Sequence, residues 1–553
     1  MPSPSETRHV SGAVREAVDL SRLPWIRPLV KAYADDYASV ASLFAGNPAD
    51  STAWRQTIER VQRARRDRAA LAALVGRQLD ARNAPTAARQ AAATLADPAA
   101  VAIVTGQQAG LFGGPLYTLL KAVTAIQLAR RVREEHGVPA VPVFWVDAED
   151  HDWEEVRTAS VLDANFSPAD ITLADVPGAG TQPVASLILT ETATDAVRSI
   201  EAVLARTEFT AEVVGALGRR YRPGAGMATS FAGWIDDLLG AQGLVVFEAA
   251  DPAAKPLVSE VFVHELTHPC RTTNLAREAG AAMARLGHAP QVEPADDAVA
   301  LFYLDAEGRR AIRYRDREFV IGETTRPAEA LRAEAESHPE RFSPNVLLRP
   351  LVQDRLFPTI CYVSGPSELA YQAQLGGVYR EFGVEAPLLY SRATATLLDS
   401  AAVRFLDRHH LPLEALHAQD ESALNRLLES QLPPTVERAL DDTDRQMAER
   451  SRALRQAVVG IDPTLGGAVD TTLERMRETL KSLHTKIIQA TKRKDDTLRR
   501  QFQRTRALTF PAGHPQERTL GVTFFLNRYG LALGERLLEV LPLETDKHYI
   551  LTL

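Results

Sequence analysis

The stretch that decides the fold lies at residues 101–153, which open with VAIVTGQQAGLFGGPLYT (101–118) and close with VPVFWVDAEDHDW (141–153). The apolar runs 101–104 and 141–146 are short and rich in β-branched residues, which is typical of buried parallel strands. Between them lie a glycine-rich turn and, from Leu116 onward, apolar residues at helical spacing. Strand, turn, helix and strand in this order predict a βαβ unit.

Polar residues follow both predicted strands, at 105–108 and 147–152. In open α/β sheets, ligands bind beyond the carboxyl ends of the strands and beside a helix N-terminus. In a right-handed βαβ crossover the two strand ends lie side by side, about 5 Å apart if the strands are neighbours. The two polar clusters therefore predict one binding site. The glycine pattern matches neither the dinucleotide fingerprint nor the phosphate loop, because no Lys-Ser/Thr follows it.

The composition is that of a globular protein with several domains. With 553 residues, 45% of them hydrophobic and 24% charged, the chain is long enough for about two to four domains. The formal net charge of −8 shows no excess of basic residues of the kind that binds nucleic acid. The two cysteines, Cys270 and Cys361, favour a reducing compartment over a disulfide framework. The sequence has no evident signal peptide or membrane-spanning segment, so we expect a cytoplasmic protein without membrane or nucleic acid partners.

The rest of the chain predicts an α/β protein with a doubly wound sheet. Apolar runs at 244–247, 359–363 and 386–390 continue the sheet, and two insertions interrupt it. The first insertion contains a predicted short strand at 186–189, and the second a predicted antiparallel meander over 298–321. The predicted division is a helical part of the core at 1–100, the first βαβ unit at 101–155, an insertion at 156–240, a sheet strand at 241–256, a second insertion at 257–355, the continuation of the sheet at 356–410, a coiled coil at 411–510 and a return to the core at 511–553.

Beyond residue 411 the apolar residues take on heptad-like spacing. They run from Val436 to Val458 and, after the break Gly-Ile-Asp-Pro at 460–463, from Leu473 to Ala490. Two such helices joined by a Gly/Pro break predict an antiparallel coiled-coil hairpin. One hairpin leaves a second apolar edge unburied, so we expect a homodimer through these arms. The basic run at 492–506 is either a solvated face or a functional patch, and the sequence leaves both open.

The segment Glu-Asp-His-Asp at 149–152 places three carboxylates around one imidazole. Like charges at this spacing raise carboxylate pKa values, and they favour the protonated imidazole. His151 is therefore the predicted catalytic group, with Asp150 and Asp152 orienting it or binding a positively charged group of the ligand. A cation site and a polar loop of helix-capping residues are the alternatives.

The predicted substrate contacts come from strand ends or from the first turns of the helices that follow them: Gln107, Gln108, Gly114, Tyr117, Ser364, Glu368 and Tyr371. The turn at 365–366 has two interpretations, a cradle for an anion or polar ligand and a simple strand–helix turn. It is not a nucleophile elbow, which has glycine two residues on each side of the serine.

The segment His-Glu-Leu-Thr-His at 264–268 matches the zinc-protease pattern of two histidines one helical turn apart with an intervening base. A zinc hydrolase that uses His264, Glu265 and His268 is therefore an alternative function. Pro269 follows at once and ends the helix, whereas zinc proteases continue it. No distinctive third ligand follows in the sequence, so we expect no metal.

Five motifs occur in order along residues 100–553: TGQQAGLFGGPLY at 105–117, EDHD at 149–152, Asn345 with RPL at 349–351, GP at 365–366 with ELAY at 368–371, and QER at 516–518 with FL at 525–526 and YG at 529–530. As a set they resemble the cysteine-adding enzymes of bacillithiol biosynthesis, the cysteine ligase family. The resemblance implies a Rossmann-like sheet similar to class I aminoacyl-tRNA synthetase cores. It also implies that the two insertions are connecting peptides 1 and 2, and that a C-terminal coiled coil pairs two protomers.

The same resemblance implies a ligase that forms an amide between the carboxyl of L-cysteine and the amine of glucosaminyl-malate, the last step of bacillithiol biosynthesis. The substrate carboxylates would be held by helix N-termini and by arginines such as Arg392. The lysine-rich signature loop of class I synthetases is not evident, so ATP or another nucleotide is an open choice as activator. A non-catalytic binding protein that dimerises through its coiled coil is the alternative from a different functional class.

Overall fold

The computed structural model describes residues 13–429, 434–494 and 496–553. Its centre is a five-stranded parallel sheet of Val101–Gln108 (β1), Ala140–Asp147 (β2), Val245–Glu248 (β3), Thr359–Ser364 (β4) and Leu388–Ser391 (β5). The strand order is β5-β4-β1-β2-β3, with every neighbouring pair parallel. The chain thus runs from β1 to one edge and then returns to build the other edge from β4, which confirms the predicted doubly wound α/β fold. The crevice between β1 and β4 is the switch point at which such sheets bind ligands.

The pairing of β1 with β2 has the register that brings the polar strand ends together. Val101 lies opposite Ala140, and the eight pairs continue without a break to Gln108 opposite Asp147. Both strands are buried over nearly their whole length, as their apolar sequences predict.

A tight glycine turn leads from β1 into the helix Leu116–His136 (α1). Gly113 and Gly114 have φ angles of +96° and +67°, which residues with a Cβ rarely adopt. A Cβ on Gly113 would also lie 3.0 Å from the Trp234 ring. The helix ends at Gly137, whose left-handed conformation caps it. The βαβ unit is therefore confirmed in all its parts.

Helices precede the sheet and form most of the first insertion. Those before β1 are Pro28–Asp35, Tyr37–Val40, Ser51–Arg63, Arg68–Ala81 and Thr86–Thr94. The first insertion has the helices Trp153–Val156, Thr192–Val203, Thr210–Arg220 and Met227–Leu239 and an antiparallel strand pair, Thr158–Leu162 with Pro168–Thr172. The predicted strand at 186–189 is wrong, because Val184–Ser186 forms a 3-10 turn and Ile188 makes only an isolated bridge to Gly226.

The second insertion contains the predicted meander. Its antiparallel sheet has five strands, Ala298–Asp305, Gly308–Arg315, Glu318–Ile321, Thr324–Arg326 and Phe342–Pro344. The helices Ser259–Thr267, Arg271–Arg285 and Ala328–Ser337 accompany it. The chain then returns to the parallel sheet through Arg349–Leu356 (α2), and after β4 it continues as Pro366–Gln372 (α3) and Gly376–Phe382.

The chain forms two compact units, Met1–Leu397 with Gln516–Leu553 and Leu398–Pro515. The second unit contains the helices Ser400–His409, Ser422–Glu429, Pro434–Val459 (α4), Leu465–Lys494 (α5) and Asp496–Thr509. Ion pairs join Arg455 to Asp470 and Asp444 to Arg477. The later residue of α4, Arg455, pairs with the earlier residue of α5, and the earlier residue of α4, Asp444, pairs with the later one. The two helices therefore run antiparallel, as the heptads predict. The side chains of the basic run at 492–494 lie outside the described residues.

The C-terminal residues return to the first unit through the helices Gln516–Thr519, Val522–Tyr529 and Leu533–Val540 and the strand Lys547–Thr552. This strand lies between Ala13–Asp19 and Thr394–Leu398 in a small third sheet. None of the helices in the described part of the chain combines the length and apolar character needed to cross a membrane.

A buried histidine joins two strands of the third sheet. His548 is 1% exposed, and its two ring nitrogens each lie 2.9 Å from a hydroxyl, that of Thr396 at Nε2 and that of Thr394 at Nδ1. Burial lowers the pKa of His548 to about 4. The folded protein therefore holds the neutral ring.

We predict that His548 makes the protein less stable in mild acid. The unfolded chain takes up this proton at a pH of about 6.5 and the folded chain only near 4, so the free energy of unfolding falls by about 1.4 kcal/mol per pH unit in that window. Urea denaturation between pH of about 7 and about 5 should show a smaller loss for His548→Gln than for the wild type. The exposed His338→Gln is the control, and equal slopes for His548→Gln and wild type would contradict the assignment.

Candidate active site

A cavity of about 360 Å³ opens at the carboxyl ends of β1 and β4. Its lining residues are mostly polar or charged: Gly106, Gln107, Gln108, Tyr117, Lys121, Asp147, Glu155, Val346, Arg349, Tyr362, Gly365, Pro366, Ser367, Glu368, Tyr371, Arg392 and Arg518. The volume suits a small-molecule ligand. The cavity lies at the switch point of the sheet, where the fold places ligands.

Six of the predicted substrate contacts line this cavity: Gln107, Gln108, Tyr117, Glu368, Tyr371 and Arg392. Gly114 and Ser364 do not. Gly114 lies in the glycine turn, and its carbonyl accepts a hydrogen bond from the amide of Val522, at the start of the helix Val522–Tyr529. Ser364 is 1% exposed, and its hydroxyl has no hydrogen-bond partner among the described residues. These two residues therefore shape the turns beside the cavity.

A buried lysine that the helical pattern did not single out lies at the floor of the site. Lys121 belongs to α1, and its side chain is 3% exposed. Its ammonium donates to the Gly106 carbonyl at 2.8 Å and to the Gln107 side-chain oxygen at 3.1 Å. It also pairs with the Glu368 carboxylate at 2.5 Å. Lys121 therefore connects the end of β1 with the first turn of α3.

Glu368 has several partners besides Lys121. Its carboxylate accepts the Tyr362 hydroxyl at 2.6 Å and the Gly365 amide at 2.7 Å. Burial by itself raises the pKa of Glu368, but Lys121 and these hydrogen bonds outweigh it and leave the pKa lowered. Burial also lowers the pKa of Lys121, which Glu368 opposes. The pair holds a fixed charge arrangement beside the cavity.

A second charged pair comes from β2 and α2. The Arg349 guanidinium lies 3.3 Å from the Asp147 carboxylate and donates to the Tyr371 hydroxyl at 2.5 Å. Burial raises the pKa of Asp147, and the charge of Arg349 opposes the rise. Burial likewise raises the pKa of Glu155. Asp147 and Glu155 are thus carboxylates in the cavity that take up a proton more readily than exposed ones.

Positive charge gathers around the ring of Tyr117. Arg392, Arg518 and Lys121 place their charged groups 5.3, 5.9 and 5.9 Å from its centroid. Arg392 is held by Glu517 at 2.7 Å and by the Ala393 carbonyl at 3.0 Å, while its buried Nε has no hydrogen-bond partner among the described residues. This part of the cavity is suited to carboxylate or phosphate groups.

The predicted catalytic residues have other neighbours. Asp150 accepts the His151 amide at 2.7 Å and pairs with Arg309 at 3.1 Å, and the His151 ring lies 3.2 Å from the same carboxylate. Asp152 caps the helix Trp153–Val156 by accepting the Glu155 amide. None of these three residues belongs to the lining set, and the side chain of His151 is 40% exposed. Their catalytic role stays a prediction.

The histidine motif of the second insertion has the wrong geometry for a zinc hydrolase. Such an enzyme needs the intervening glutamate as a free base. Glu265 is 1% exposed, and its two oxygens accept the Thr272 hydroxyl at 2.5 Å and the Ala300 amide at 2.8 Å. The helix also ends at Thr267, as Pro269 predicts.

Comparison with known proteins agrees with this architecture. A family model described as "Bacillithiol biosynthesis BshC, N-terminal Rossmann-like domain" matches residues 16–393, and one described as "Bacillithiol biosynthesis BshC, C-terminal coiled-coil domain" matches residues 395–553. The chain belongs to the BshC family. The family resemblance read from the five motifs is therefore confirmed.

Members of the BshC family from several bacteria align with most of the chain. The relative from Salinibacter ruber is 33% identical over 523 residues, covering 94% of this chain and 95% of its own. The relative from Symbiobacterium thermophilum is 33% identical over 540 residues, covering 93% and 95%. That from Bacillus pumilus is 30% identical over 455 residues, covering 80% and 83%. All three carry the name "Putative cysteine ligase BshC".

We predict that Lys121 and Glu368 stabilise the fold as a pair. Removing one partner leaves a buried charge without compensation, so Lys121→Met and Glu368→Gln should each lower the free energy of unfolding by about 3 kcal/mol. The double variant should lose clearly less than the sum, because neither charge is then left alone. Denaturant unfolding of the four proteins measures this coupling. Additive losses would show that the two side chains act independently.

Proposed function

We propose that the protein is a ligase that joins the carboxyl of L-cysteine to the amine of glucosaminyl-malate. Membership in the BshC family supports this reaction, and so does the charge pattern of the cavity. The observation that carries the proposal is the group of Arg392, Arg518 and Lys121 around Tyr117 at the switch point. A substrate with two carboxylates on its malate group fits such a cationic wall.

The negatively charged side chains in the cavity suit the amino groups of the two substrates. Asp147 and Glu155 offer carboxylates to an ammonium group, that of cysteine or that of the sugar amine. Forming the amide requires that the cysteine carboxylate lose an oxygen to an activating group and that the amine lose a proton. ATP or another nucleotide is the proposed source of activation, and an assay that varies the nucleotide identifies it. Buried charged groups are costly, which argues against a non-catalytic scaffold with no ligand at this site.

We assign the substrate contacts to the six predicted residues that line the cavity, Gln107, Gln108, Tyr117, Glu368, Tyr371 and Arg392. Gly114 and Ser364 support the turns that carry them. His151, oriented by Asp150 and with Asp152 in the same loop, is the proposed group for proton transfer. We propose that the reaction takes place in the cytoplasm, a reducing compartment that suits a chain with two cysteines and no disulfide framework.

Arg518 offers the cleanest test of the cationic wall, because its side chain is exposed and its loss should leave the fold intact. With cysteine, glucosaminyl-malate and a nucleotide, the wild type should form the thiol product detected by mass spectrometry. Arg518→Gln should raise KM for glucosaminyl-malate about 10- to 100-fold, since a hydrogen bond to a charged group is lost, and leave KM for cysteine unchanged. Arg198→Gln, at an exposed ion pair with Asp195, is the matched control.

Two results would contradict this proposal. No product with any nucleotide would overturn the reaction. An unchanged KM for glucosaminyl-malate in Arg518→Gln, with product still formed, would show that the substrate does not bind at the cationic wall. The proposed reaction would then stand without that binding site.

The role of His151 has its own kinetic test. As the group for proton transfer it should contribute to kcat, so His151→Ala should lower kcat by about 10²- to 10⁴-fold with little change in substrate binding. His338, another exposed histidine beside a carboxylate (Glu340, 3.1 Å), provides the control variant His338→Ala. A change in KM alone would make His151 a binding residue. Unchanged kinetics would assign the proton transfer to a carboxylate of the cavity, Asp147 or Glu155, instead of His151.

We further propose that the coiled coil pairs two protomers. Leu454 on α4 and Met476 and Leu483 on α5 are 54%, 48% and 48% exposed, and the last two lie one heptad apart. Such an apolar edge on a hairpin fits a symmetric partner. The double variant Met476→Glu/Leu483→Glu should therefore be monomeric in light scattering, whereas Thr471→Glu, an exposed position on another face of the same helix, should stay dimeric. A dimer that survives the double change would place the interface elsewhere.

A further inference from the structure

The histidine motif of the second insertion acquires a third metal-binding side chain in the folded protein. His264 and His268 lie at the end of the helix Ser259–Thr267, and Glu381 comes from the helix Gly376–Phe382, more than one hundred residues later in the chain. One ligand atom of each side chain lies within 4.8 Å of those of the other two. The sequence did not select Glu381, because the fold alone brings it to this place.

The Nε2 atoms of both imidazoles are available to coordinate a metal ion. His268 Nδ1 lies 3.2 Å from the His264 carbonyl, and a hydrogen bond donated there leaves the lone pair on Nε2. Metal-binding histidines typically donate their other ring nitrogen in this way. His264 Nε2 is buried and makes no hydrogen bond to any described residue, although the Glu381 carboxylate lies 3.5 Å away. The two rings lie with centroids 4.5 Å apart, and Phe382 packs against the His264 ring at 4.5 Å.

The carboxylate is held by a neighbour that leaves one oxygen available. Arg271 pairs with Glu381 Oε2 at 3.2 Å, so Oε1 remains directed toward His264. A hydrogen-bonded partner of this kind commonly orients a metal-binding carboxylate.

We propose that His264, His268 and Glu381 bind a divalent transition-metal ion of the zinc class. Two imidazoles and one carboxylate are the donor set that zinc accepts, whereas calcium and magnesium take oxygen donors. The ion joins the second insertion to the helix that follows β4 and α3. It serves no hydrolysis, because Glu265 is committed to Thr272 and Ala300. Three protein ligands leave the fourth position of a tetrahedral ion to water, and we assign the ion a stabilising role that is independent of the proposed ligase reaction.

Cobalt(II) is the probe for the test, because its ligand-field absorption reports imidazole and carboxylate coordination and zinc displaces it. The full-length protein is first freed of metal with a chelator and then titrated. We expect one equivalent of cobalt to bind, zinc to displace it, and zinc to raise the melting temperature by stabilising the folded state. Absence of a stoichiometric cobalt signal would overturn the proposal.

Variants distinguish this site from other donors. His268→Ala changes an exposed side chain, and Glu381→Gln keeps the shape of the carboxylate, so both should fold and both should lose the cobalt signal and the zinc-dependent rise in melting temperature. Cys270→Ser and His338→Ala should retain both. Binding that survives His268→Ala, or that disappears with Cys270→Ser, would contradict the assignment.

Discussion

The pairing of β1 with β2 in one continuous register is the constraint on which the site depends. Eight residue pairs, from Val101 opposite Ala140 to Gln108 opposite Asp147, fix where each strand ends. A shift by one residue would exchange the two faces of a strand and would move the polar residues at the strand ends away from each other. Gly106 contributes to the close approach, since a Cβ there would lie 2.9 Å from the Trp145 carbonyl. The polar strand ends therefore meet at the switch point of the sheet.

At that edge of the sheet, buried charged side chains are stabilised by ion pairs with side chains of opposite charge. Lys121 with Glu368, Arg349 with Asp147 and Arg392 with Glu517 are all wholly or largely buried pairs. Ionised groups in such a place are stable only with partners, and they then present fixed charges to a ligand. One part of the cavity is cationic around Tyr117, and Asp147 and Glu155 supply the anionic groups. This arrangement suits a reaction between a carboxylate and an amine better than it suits an inert core.

The sequence predicted the parallel sheet, the glycine turn, the meander and the coiled-coil hairpin, because each has a local pattern of apolar residues and turn residues. The strand at 186–189 failed since a short apolar run also fits a 3-10 turn. Lys121 was missed although it interrupts the mostly apolar run 119–126, and a lone lysine within such a run was the available signal. Glu381 could not be found, because only the tertiary fold brings it to His264. His151 was predicted as the catalytic group because three carboxylates surround it in the sequence. In the fold, Asp150 accepts its amide and pairs with Arg309, and these contacts, which the sequence does not reveal, orient its loop.

We propose that glucosaminyl-malate binds in the cavity between β1 and β4. A crystal structure of the protein with this substrate tests it most directly. We expect density in the cavity with the malate carboxylates within hydrogen-bond distance of Arg392 or Arg518 and the amine facing Asp147 or Glu155. Substrate bound at another place, with this cavity empty, would contradict it.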